Sequence, residues 1–430
     1  MAPPPSKARS MPPPPELMDE MVEEVLLRFP PRKPECLVRA ALVCKRWRRL
    51  VSDPGFRRRF DEFHHTPKML GFLCNIYDAS VELVARFVPT SSSCSPLAAD
   101  GHDWRAEDAR HGRVLLSRNR PTCPTLFMVW DPITGQRQEL PVSPMQPTML
   151  RWKSALILCA AATTGTCNHL DCRHGPFYVV YVSSHNGGQF ICIYSSAAAA
   201  WSKPTSTLLP GNCDINNLAQ SIIVGKAIYF KINRGGFAIK YDCELCQIVS
   251  AIPLPRQSWG RSVVLITTED GGLGCAALLN YNLYLWSKKA DEEVDSGWLQ
   301  GRVIDLERIF RINTLSTTPY VDLVGFADGI GTIFFRINSM IFAIDLKTNR
   351  AKEVYTDSAI CSIIPYMGFC TPDVEDYIQA SESAAQVTID EVKQLLPLQA
   401  NIEESRGNFS CGSGTRSRFG GSGGGGRLKF

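Results

Sequence analysis

The densest group of reactive side chains in the sequence is Cys167, His169, Cys172 and His174, four nitrogen or sulfur donors within eight residues. Zinc prefers a tetrahedral set of such donors. The C-x-H-x-x-C-x-H spacing, however, is not that of the usual structural zinc modules, and the segment reads as a loop between strands. We therefore expect an ordinary reduced loop, with zinc as the alternative. Cys243 and Cys246 have no second C-x-x-C partner, so metal or redox use is less favoured there.

No short motif that builds an enzyme site stands in the strand or helix regions of the sequence. The sequence has no G-x-x-x-x-G-K-[ST] and no H-E-x-x-H, and its one G-x-S-x-G match, Gly420–Gly424, belongs to the Gly/Ser/Arg tail. The seven histidines are scattered. Asp270 to Gly274 is rich in glycine but connects two apolar runs, which is typical of a tight turn. We predict a protein with no catalytic residues, no cofactor and no metal, although an enzyme that draws residues from several repeats stays open as an alternative.

Bulk composition is that of a folded protein, with 44% hydrophobic and 20% charged residues. The net charge of +4 is too small to indicate a nucleic-acid partner, and much of the basic excess is local, at Arg46–Arg49 and Arg57–Arg59. No run of eighteen apolar residues and no apolar leader is present, so we expect no membrane partner. The sixteen cysteines are then best explained by a reducing compartment, the cytoplasm and/or the nucleus.

From residue 66 to residue 372 the pattern is that of strands. Short runs rich in Val, Ile, Phe and Tyr alternate with Gly, Pro, Asn and Asp. Within them an aromatic or aliphatic strand end recurs, often followed by Asp, at spacings of 45 to 64 residues. These anchor residues are Trp130, Tyr194, Tyr241, Trp286 and Ile344.

Such a period is typical of four-stranded propeller blades. Five blades are visible, and we expect Met69–Pro89 to pair with Ala359–Tyr366 as a sixth blade that closes the ring. An irregular β-sandwich is the alternative fold.

Before this region, residues 15–65 carry helical periodicity. Apolar residues recur in adjacent pairs up to Phe29, and Pro30-Pro31 ends the first helix. A second helix is predicted from Pro34 to Leu50, and a third after the Asp53-Pro54 cap. So small a unit cannot bury all its apolar residues, and some of them should face a partner.

The order of residues in this unit closely resembles the F-box. The resemblance rests on Val25-Leu-Leu-Arg-Phe-Pro30, Cys36-Leu-Val-Arg39, Val43-Cys-Lys-Arg-Trp-Arg-Arg-Leu50 and Asp53-Pro-Gly-Phe56. It implies that the unit docks on the Skp adaptor of a cullin-RING ubiquitin ligase. By position in the motif, the implied adaptor contacts are Leu17, Val25, Leu26, Phe29, Pro30, Leu37, Val38, Val43, Lys45, Trp47 and Leu50. Leu26, Pro30 and Val43 are expected at the surface, and Trp47 is also a core candidate.

The strand region with its double glycines, Gly187-Gly188, Gly235-Gly236 and Gly271-Gly272, resembles degenerate kelch repeats. The layout as a whole resembles plant F-box proteins of the grass type, which have a C-terminal F-box-associated propeller-like domain. The implied fold is α + β multidomain: a small three-helix F-box followed by an all-β propeller-like domain of about six blades.

Five segments follow from these patterns. They are a disordered proline-rich start (1–14), the F-box (15–65), the propeller-like domain (66–372), a helical segment (373–404) and a Gly/Ser/Arg tail (405–430). The implied function is that of a non-catalytic substrate receptor of an SCF-type ligase. Its partners are the Skp adaptor, through it the cullin and RING subunits, and an unidentified target protein. The alternatives are a propeller enzyme or small-ligand sensor localised by its F-box, and an F-box scaffold that acts outside the ligase.

Overall fold

The structure is a computed structural model of the 430-residue chain. It describes residues 18–30, 35–64, 68–77, 83–90, 104–118, 123–132, 134–145, 152–162, 167, 172, 175–185, 188–208, 219–232, 236–289, 297–310 and 319–368. The proline-rich start, the C-terminal helical segment and the tail predicted from the sequence lie outside the described residues.

Four helices form the N-terminal unit: α1 (Asp19–Leu27), α2 (Glu35–Val43), α3 (Lys45–Ser52) and α4 (Pro54–His64). The prediction of three helices differs from the structure at one point, because the second helix breaks at Cys44. This residue has extended backbone angles, and its Sγ accepts a hydrogen bond from the Trp47 main-chain N–H at 3.5 Å. Cys44 therefore caps a new helix. Asp53 caps α4 as expected, since its carboxylate accepts from the Phe56 N–H at 2.9 Å.

The helical unit has a small apolar core with ion pairs between helices at its surface. Its buried apolar residues are Val22, Leu26, Leu27, Leu37, Ala40, Ala41, Val51, Phe56 and Phe60. Arg46 of α3 pairs with Asp19 of α1, and Arg59 of α4 pairs with Glu23 of α1. The His64 ring packs 4.5 Å from the Phe60 ring, and its Nε2 lies 2.9 Å from the Leu27 carbonyl oxygen. This histidine thus joins α4 to the end of α1 as a structural residue.

The β-domain consists of six antiparallel blades arranged around an axis. Blade 1 contains β3 (Arg105–Arg110), β4 (Arg113–Arg118), β5 (Leu126–Trp130) and β6 (Arg137–Glu139). Blade 2 contains β7 (Trp152–Cys159), β8 (Phe177–His185), β9 (Gly188–Ser195), β10 (Ala200–Trp201) and β11 (Thr205–Leu208). Blade 3 contains β12 (Ile222–Val224), β13 (Ala227–Lys231), β14 (Phe237–Asp242) and β15 (Gln247–Pro253). Blade 4 contains β16 (Val263–Thr267), β17 (Leu273–Leu279), β18 (Asn282–Lys288) and β19 (Trp298–Asp305). The short helix α5 (Leu306–Phe310) follows β19. Blade 5 contains β20 (Val321–Ala327), β21 (Thr332–Ile337), β22 (Met340–Asp345) and β23 (Ala351–Thr356).

Blade 6 is built from both ends of the domain. It has the strand order β2 (Leu83–Pro89), β1 (Lys68–Tyr77), β24 (Ile360–Gly368), with β24 innermost. In register, Phe72 lies opposite Pro365 and Cys74 opposite Ile363. The predicted closure by a sixth blade is confirmed, and the β-sandwich alternative does not describe the fold. A propeller needs this closure because it removes the open strand edges that a sheet would otherwise expose.

Each neighbouring pair of blades shares its own apolar cluster, so six clusters surround the axis. The anchor residues predicted from the repeat are all buried and lie in the third strand of blades 1 to 5: Trp130, Tyr194, Tyr241, Trp286 and Ile344. In blade 6 the third strand contributes Phe87, whose ring meets Trp130 edge-on at 5.4 Å. The repeat in the sequence is therefore the repeat of these inter-blade cores.

The aspartate that follows several anchors closes the next turn. Asp242 accepts from the main-chain N–H groups of Glu244 and Leu245 at 2.9 and 3.0 Å. Asp345 accepts from those of Lys347 and Thr348 at 2.8 and 3.1 Å. Carboxylates that bind the main chain two and three residues ahead are typical of such turns, which explains the recurrence of Asp in the sequence pattern.

The meander order of strands defines two faces of the propeller. We define the upper face as the face that carries the connections between blades and the turns between the second and third strands of each blade. The lower face is the opposite one. Contacts between loops agree with this assignment, since the Tyr281 hydroxyl donates to the Pro319 carbonyl oxygen at 3.0 Å on the upper face. Across the described parts of the chain, no helix combines the length and the apolar character needed to span a membrane.

Candidate functional site

A row of exposed apolar side chains covers part of the helical unit. Its members, with their exposed fractions, are Met18 (64%), Met21 (52%), Val25 (54%), Leu42 (56%) and Val43 (66%). We call this set the apolar stripe. Positions 18, 21 and 25 are three and four residues apart, so they share one face of α1. Exposed apolar groups clustered in this way on a small unit mark an interaction surface.

The two parts of the apolar stripe are brought towards each other by an ion pair. Asp19, next to Met18, pairs with Arg46, which follows Val43 by three residues. The start of α1 therefore lies beside the junction of α2 and α3. Because both charged side chains are partly exposed, the pair contributes little to stability by itself. It shows that the two helix ends lie side by side.

The adaptor contacts that the F-box resemblance implies differ in how exposed they are in the structure. Val25, Pro30, Val43 and Lys45 are exposed; Phe29, Trp47 and Leu50 are half-buried. Leu37 is buried in the core. Leu17 lies outside the described residues, as does the side chain of Val38. Whether these residues contact the adaptor stays a prediction.

The prediction that Leu26 lies at the surface is wrong. Its side chain is fully buried, whereas that of the preceding Val25 is more than half exposed. The reason is geometric: Val22, Leu26 and Leu27 share the face of α1 that meets the other helices. A charged residue at position 26 would disrupt this core and would not report on partner binding.

Sequence reasoning missed three members of the apolar stripe, Met18, Met21 and Leu42. The available signal was the pairing of apolar residues along α1. When two adjacent residues are apolar at every turn, the apolar arc is wider than one buried face requires. One residue of each pair is left for a second surface, and in α1 these are the residues at positions 18, 21 and 25.

On the upper face of the propeller, a small polar cavity lies at the mouth of the axial channel. Its volume is about 180 Å³, and its polar lining includes Gln220, Lys231, Ser262 and Asp322. Burial lowers the pKa of Lys231 below its ordinary value, and the Asp322 charge partly offsets this. Asp322 already has several partners, namely the Ser262 hydroxyl, the Tyr320 hydroxyl at 3.2 Å and the Arg336 guanidinium at 3.4 Å. Among the described lining residues it is the only carboxylate, and none is a histidine.

Two aromatic side chains project from the upper face in fixed orientations. Trp259 packs on Gly236, where a Cβ atom would lie only 1.8 Å from the ring nitrogen, and its Nε1–H donates to the Leu254 carbonyl oxygen at 3.0 Å. Tyr320 is held by Asp322 and by the Arg336 guanidinium, 5.2 Å from its ring centroid. They remain 44% and 59% exposed. Rigid, partly exposed aromatic residues are common at the centres of protein interfaces.

A buried ionic network joins blades 1 and 2. The Ser117 hydroxyl donates to Glu107 at 2.5 Å, and Arg105 lies 3.4 Å from the same carboxylate. Lys153 donates to the Thr125 hydroxyl at 3.4 Å. Burial lowers the pKa of Lys153 to about 8; Glu107 opposes this shift and Arg105 adds to it. Because these groups bond to one another across two neighbouring blades, their arrangement joins the blades and is that of a structural network.

Of the predicted Cys/His loop, the structure describes Cys167 and Cys172, whereas His169 and His174 lie outside the described residues. It adds Cys159, the last residue of β7, which the spacing did not suggest. The three sulfur atoms lie within 4.8 Å of one another. Burial raises the pKa of the Cys172 thiol above its ordinary value, and Cys159 and Cys167 raise it further. Cys243 and Cys246 lie in the β14–β15 turn, where the Cys246 thiol donates to the Cys243 carbonyl oxygen at 3.4 Å.

A helical unit with an exposed apolar stripe and a six-bladed propeller in one chain define the class of F-box proteins with a propeller domain. Residues 19–62 match the family described as F-box-like, and residues 105–373 match the family described as F-box protein AT5G49610-like, beta-propeller. Since the second match spans more than half of the chain, the chain belongs to this AT5G49610-like family. The resemblance seen in the sequence is thereby confirmed.

The individual proteins that this chain resembles share between 9% and 24% sequence identity with it. The F-box protein At5g49610 of Arabidopsis thaliana is 24% identical over 297 residues, which cover 65% of this chain and 76% of that protein. Among solved structures, TolB from Acinetobacter baumannii is 12% identical with a TM-score of 0.38, covering 73% of this chain and 71% of that chain. A chain of the nidogen/laminin complex is 9% identical with a TM-score of 0.36, covering 70% of this chain and 99% of that chain. At such TM-scores the two structures add nothing to the argument.

Proposed function

We propose that this F-box protein is the substrate-receptor subunit of an SCF-type cullin-RING ubiquitin ligase. The observation that carries the proposal is the apolar stripe on the helical unit. The Skp adaptor binds through it and connects the chain to the cullin and RING subunits. The propeller captures the target protein. A cytoplasmic and/or nuclear location belongs to the same proposal.

The stripe supports docking on energetic grounds. Burying one exposed Val, Leu or Met side chain against a partner contributes roughly 1.5 to 3 kcal/mol. The five residues are a little over half exposed, so each contributes about half of this, and together they offset a large part of the cost of lost translational and rotational freedom. Lys45 and Arg48, which are exposed on the neighbouring helix α3, would form a polar rim.

The mechanism of such a receptor is positional. The chain contributes no reacting group; it raises the effective concentration of the target near the ubiquitin-charged enzyme, which supplies the chemistry. Trp259 and Tyr320 on the upper face are the described residues best suited to target capture, because their rings are already fixed and lose little entropy on binding.

The axial cavity is one place where the alternative of a propeller enzyme or small-ligand sensor is open to examination. General acid and base chemistry needs at least two groups that are able to exchange protons with a substrate. In the described lining, Asp322 is occupied by three hydrogen-bonding partners, so Lys231 has no free carboxylate there to act with it. The exposed aromatics beside the cavity favour a protein partner instead.

The direct test is binding to a plant Skp adaptor. The full chain, purified with the adaptor, should form a one-to-one complex in size-exclusion chromatography with light scattering. Val25→Glu and Val43→Glu should each weaken the complex roughly tenfold or more, because each buries a charge against an apolar surface. The measurement is the Kd from biolayer interferometry.

Leu245→Glu is the matched control. This leucine, on the lower face of the propeller, is 62% exposed, comparable to Val25 and Val43, so its replacement should leave the affinity for the adaptor unchanged. Thermal unfolding should be the same for all variants. If Val25→Glu and Val43→Glu bind the adaptor as tightly as the wild type, the apolar stripe is not the docking surface. If the wild type does not bind it at all, the ligase role is excluded.

A further inference from the structure

Three cysteine thiols from separate positions along blade 2 meet at one point. Cys159 ends β7, and Cys167 and Cys172 belong to the connection from β7 to β8. Their sulfur atoms lie within 4.8 Å of one another, Cys159 and Cys172 are buried, and Cys167 is half-buried. None of the three is part of a disulfide. A group of three convergent thiols, partly open to solvent on one side, is a donor set and not simple core packing.

The loop that carries these thiols is anchored from the neighbouring blade. Arg113 of β4 donates to the Cys172 carbonyl oxygen at 3.0 Å and to the Gly175 carbonyl oxygen. Its guanidinium also stacks 5.0 Å from the centroid of the Phe177 ring. The main-chain N–H of Gly175 donates to the same Cys172 carbonyl at 3.1 Å. The backbone at Cys172 is thus held before any ligand is bound, which lowers the ordering cost of binding.

The position of Cys159 is fixed independently. It pairs with Phe177 at the end of the β7–β8 ladder, and the next residue, Ala160, donates its N–H to the Pro176 carbonyl oxygen at 2.9 Å. One thiol therefore comes from a sheet and two from an anchored loop. A metal held by all three would tie the loop to a rigid element.

We propose that Cys159, Cys167 and Cys172 bind a zinc ion through three thiolates and so tie the β7–β8 loop to blade 2. The fourth position of the tetrahedron is taken by water. On binding, the three thiol protons are released to solvent. The bound group carries one net negative charge, and the Arg113 guanidinium at the Cys172 main chain complements it.

The separation of the sulfur atoms agrees with a metal better than with a disulfide. With Zn–S bonds of about 2.3 Å, thiolates on a tetrahedron are about 3.8 Å apart. Reaching that distance from at most 4.8 Å requires movements of about 1 Å or less. A disulfide needs about 2.0 Å between two sulfurs and leaves the third thiol without a role. Three thiols also exceed what one disulfide uses.

The test uses the full chain, purified under reducing conditions without added metal, and then incubated with zinc sulfate and passed over a desalting column. Elemental analysis should find roughly one zinc per chain. Cys159→Ser and Cys172→Ser should weaken zinc binding by more than the roughly 10- to 100-fold that loss of an outer-shell partner costs. Cobalt(II) added in place of zinc should give the absorption bands of a tetrahedral thiolate site.

The control is Cys246→Ser, which removes an exposed thiol elsewhere on the lower face and should leave the zinc content unchanged. Cys167→Ser serves as a second ligand variant in a less buried position, in case a core substitution prevents folding. Wild-type protein with less than about a tenth of an equivalent of zinc after incubation would overturn the proposal, since a formed site of this kind retains its metal. A disulfide between two of these three cysteines, located by peptide mapping, would do the same. Equal zinc content in Cys167→Ser and Cys246→Ser would also exclude it.

Discussion

At the scale of single residues, the β-domain depends on polar side chains that join blades. The buried Asn75 of blade 6 donates to the Ala106 carbonyl oxygen and accepts from the Ala106 N–H of blade 1, each at 2.9 Å. Asp108 of blade 1 accepts from Arg110 at 2.9 Å and from the Ile157 N–H of blade 2 at 3.1 Å. Arg110 in turn donates to the Ser221 carbonyl oxygen next to blade 3 at 2.6 Å. Burial raises the pKa of Asp108, and the arginine opposes this shift.

Gly325 is a residue at which one added methyl group should be costly. Its Cβ would lie 2.4 Å from the Ile363 carbonyl oxygen of β24, a main-chain atom that cannot turn aside. We expect Gly325→Ala to lower the free energy of unfolding by about 2 to 3 kcal/mol. Gly301→Ala, where the nearest atom is the Leu285 carbonyl oxygen at an ordinary 3.5 Å, should be neutral or slightly stabilising. The measurement is urea unfolding of both variants. Equal changes in the free energy of unfolding would mean that the inner strands β20 and β24 do not approach each other so closely.

The lowered pKa of Lys153 predicts that the stability of the folded chain depends on pH. Its pKa is about 8 in the folded chain against 10.5 for a free lysine, so between these values the unfolded state holds the extra proton. Stability due to this residue therefore rises as pH increases from 8 to 10.5. Lys153→Met should be more stable than the wild type below pH 8, and this gain should shrink by an amount on the order of 2 kcal/mol across the window.

The measurement for Lys153→Met is the difference in urea unfolding free energy from wild type at each pH, since other groups titrate in both proteins. Lys226 provides the control, because it is fully exposed and its pKa is raised by Glu244. Lys226→Met should give a difference that does not change in this window. A flat difference for Lys153→Met would show that its ammonium group is hydrated in the folded state.

Residue roles in the helical unit were only partly predictable. Val25 and Leu26 are neighbours of similar character, yet one is exposed and the other buried. Sequence periodicity identifies the apolar arc of α1 but not which half of it the other helices cover, because that depends on the angle at which they pack. For the same reason Cys159 escaped notice: it belongs to a strand, and only the pairing of β7 with β8 brings it to Cys167 and Cys172.

At the scale of elements, local chemistry explains why most strands could be predicted and one helix boundary could not. Strand ends in the β-domain are marked by Asp, Gly and Asn, and the turn at Asp345 shows the physical cause of such a mark. The break between α2 and α3 carries no proline or glycine. It depends on the extended backbone of Cys44 and on a weak thiol cap, which no turn signal reveals.

At the scale of the whole molecule, the two regions divide the work of the proposed receptor. The helical unit presents flexible aliphatic and Met side chains, whereas the upper face of the propeller presents fixed aromatic rings. The six-blade closure was predictable, because a repeat of strands with partners missing at both ends can be completed only by joining those ends. The target of the proposed receptor was not predictable, since loop side chains and not the repeat would select it.

Ring closure leads to a prediction about truncation. β24 is the innermost strand of blade 6 and packs in two inter-blade cores, with Ile363 in one and Ile364 and Tyr366 in the other. A chain ending at residue 357 lacks this strand and should fail to unfold cooperatively in calorimetry. A chain ending at residue 372 keeps it and should melt as a folded propeller. Cooperative melting of the shorter chain at a similar Tm would contradict the role assigned to β24.

The same closure sets the order of events during synthesis. Asn75 and Ser362 form a hydrogen bond across 287 residues of sequence, so the first strands of the domain must wait for the last ones to leave the ribosome. Contacts of such long sequence separation fold slowly. Until then β1 presents an unpaired edge, which is prone to association with other chains. The helical unit, emerging first and relying on local contacts, is able to fold well before the propeller is complete, so the proposed adaptor could bind a nascent chain before the proposed target-binding face exists.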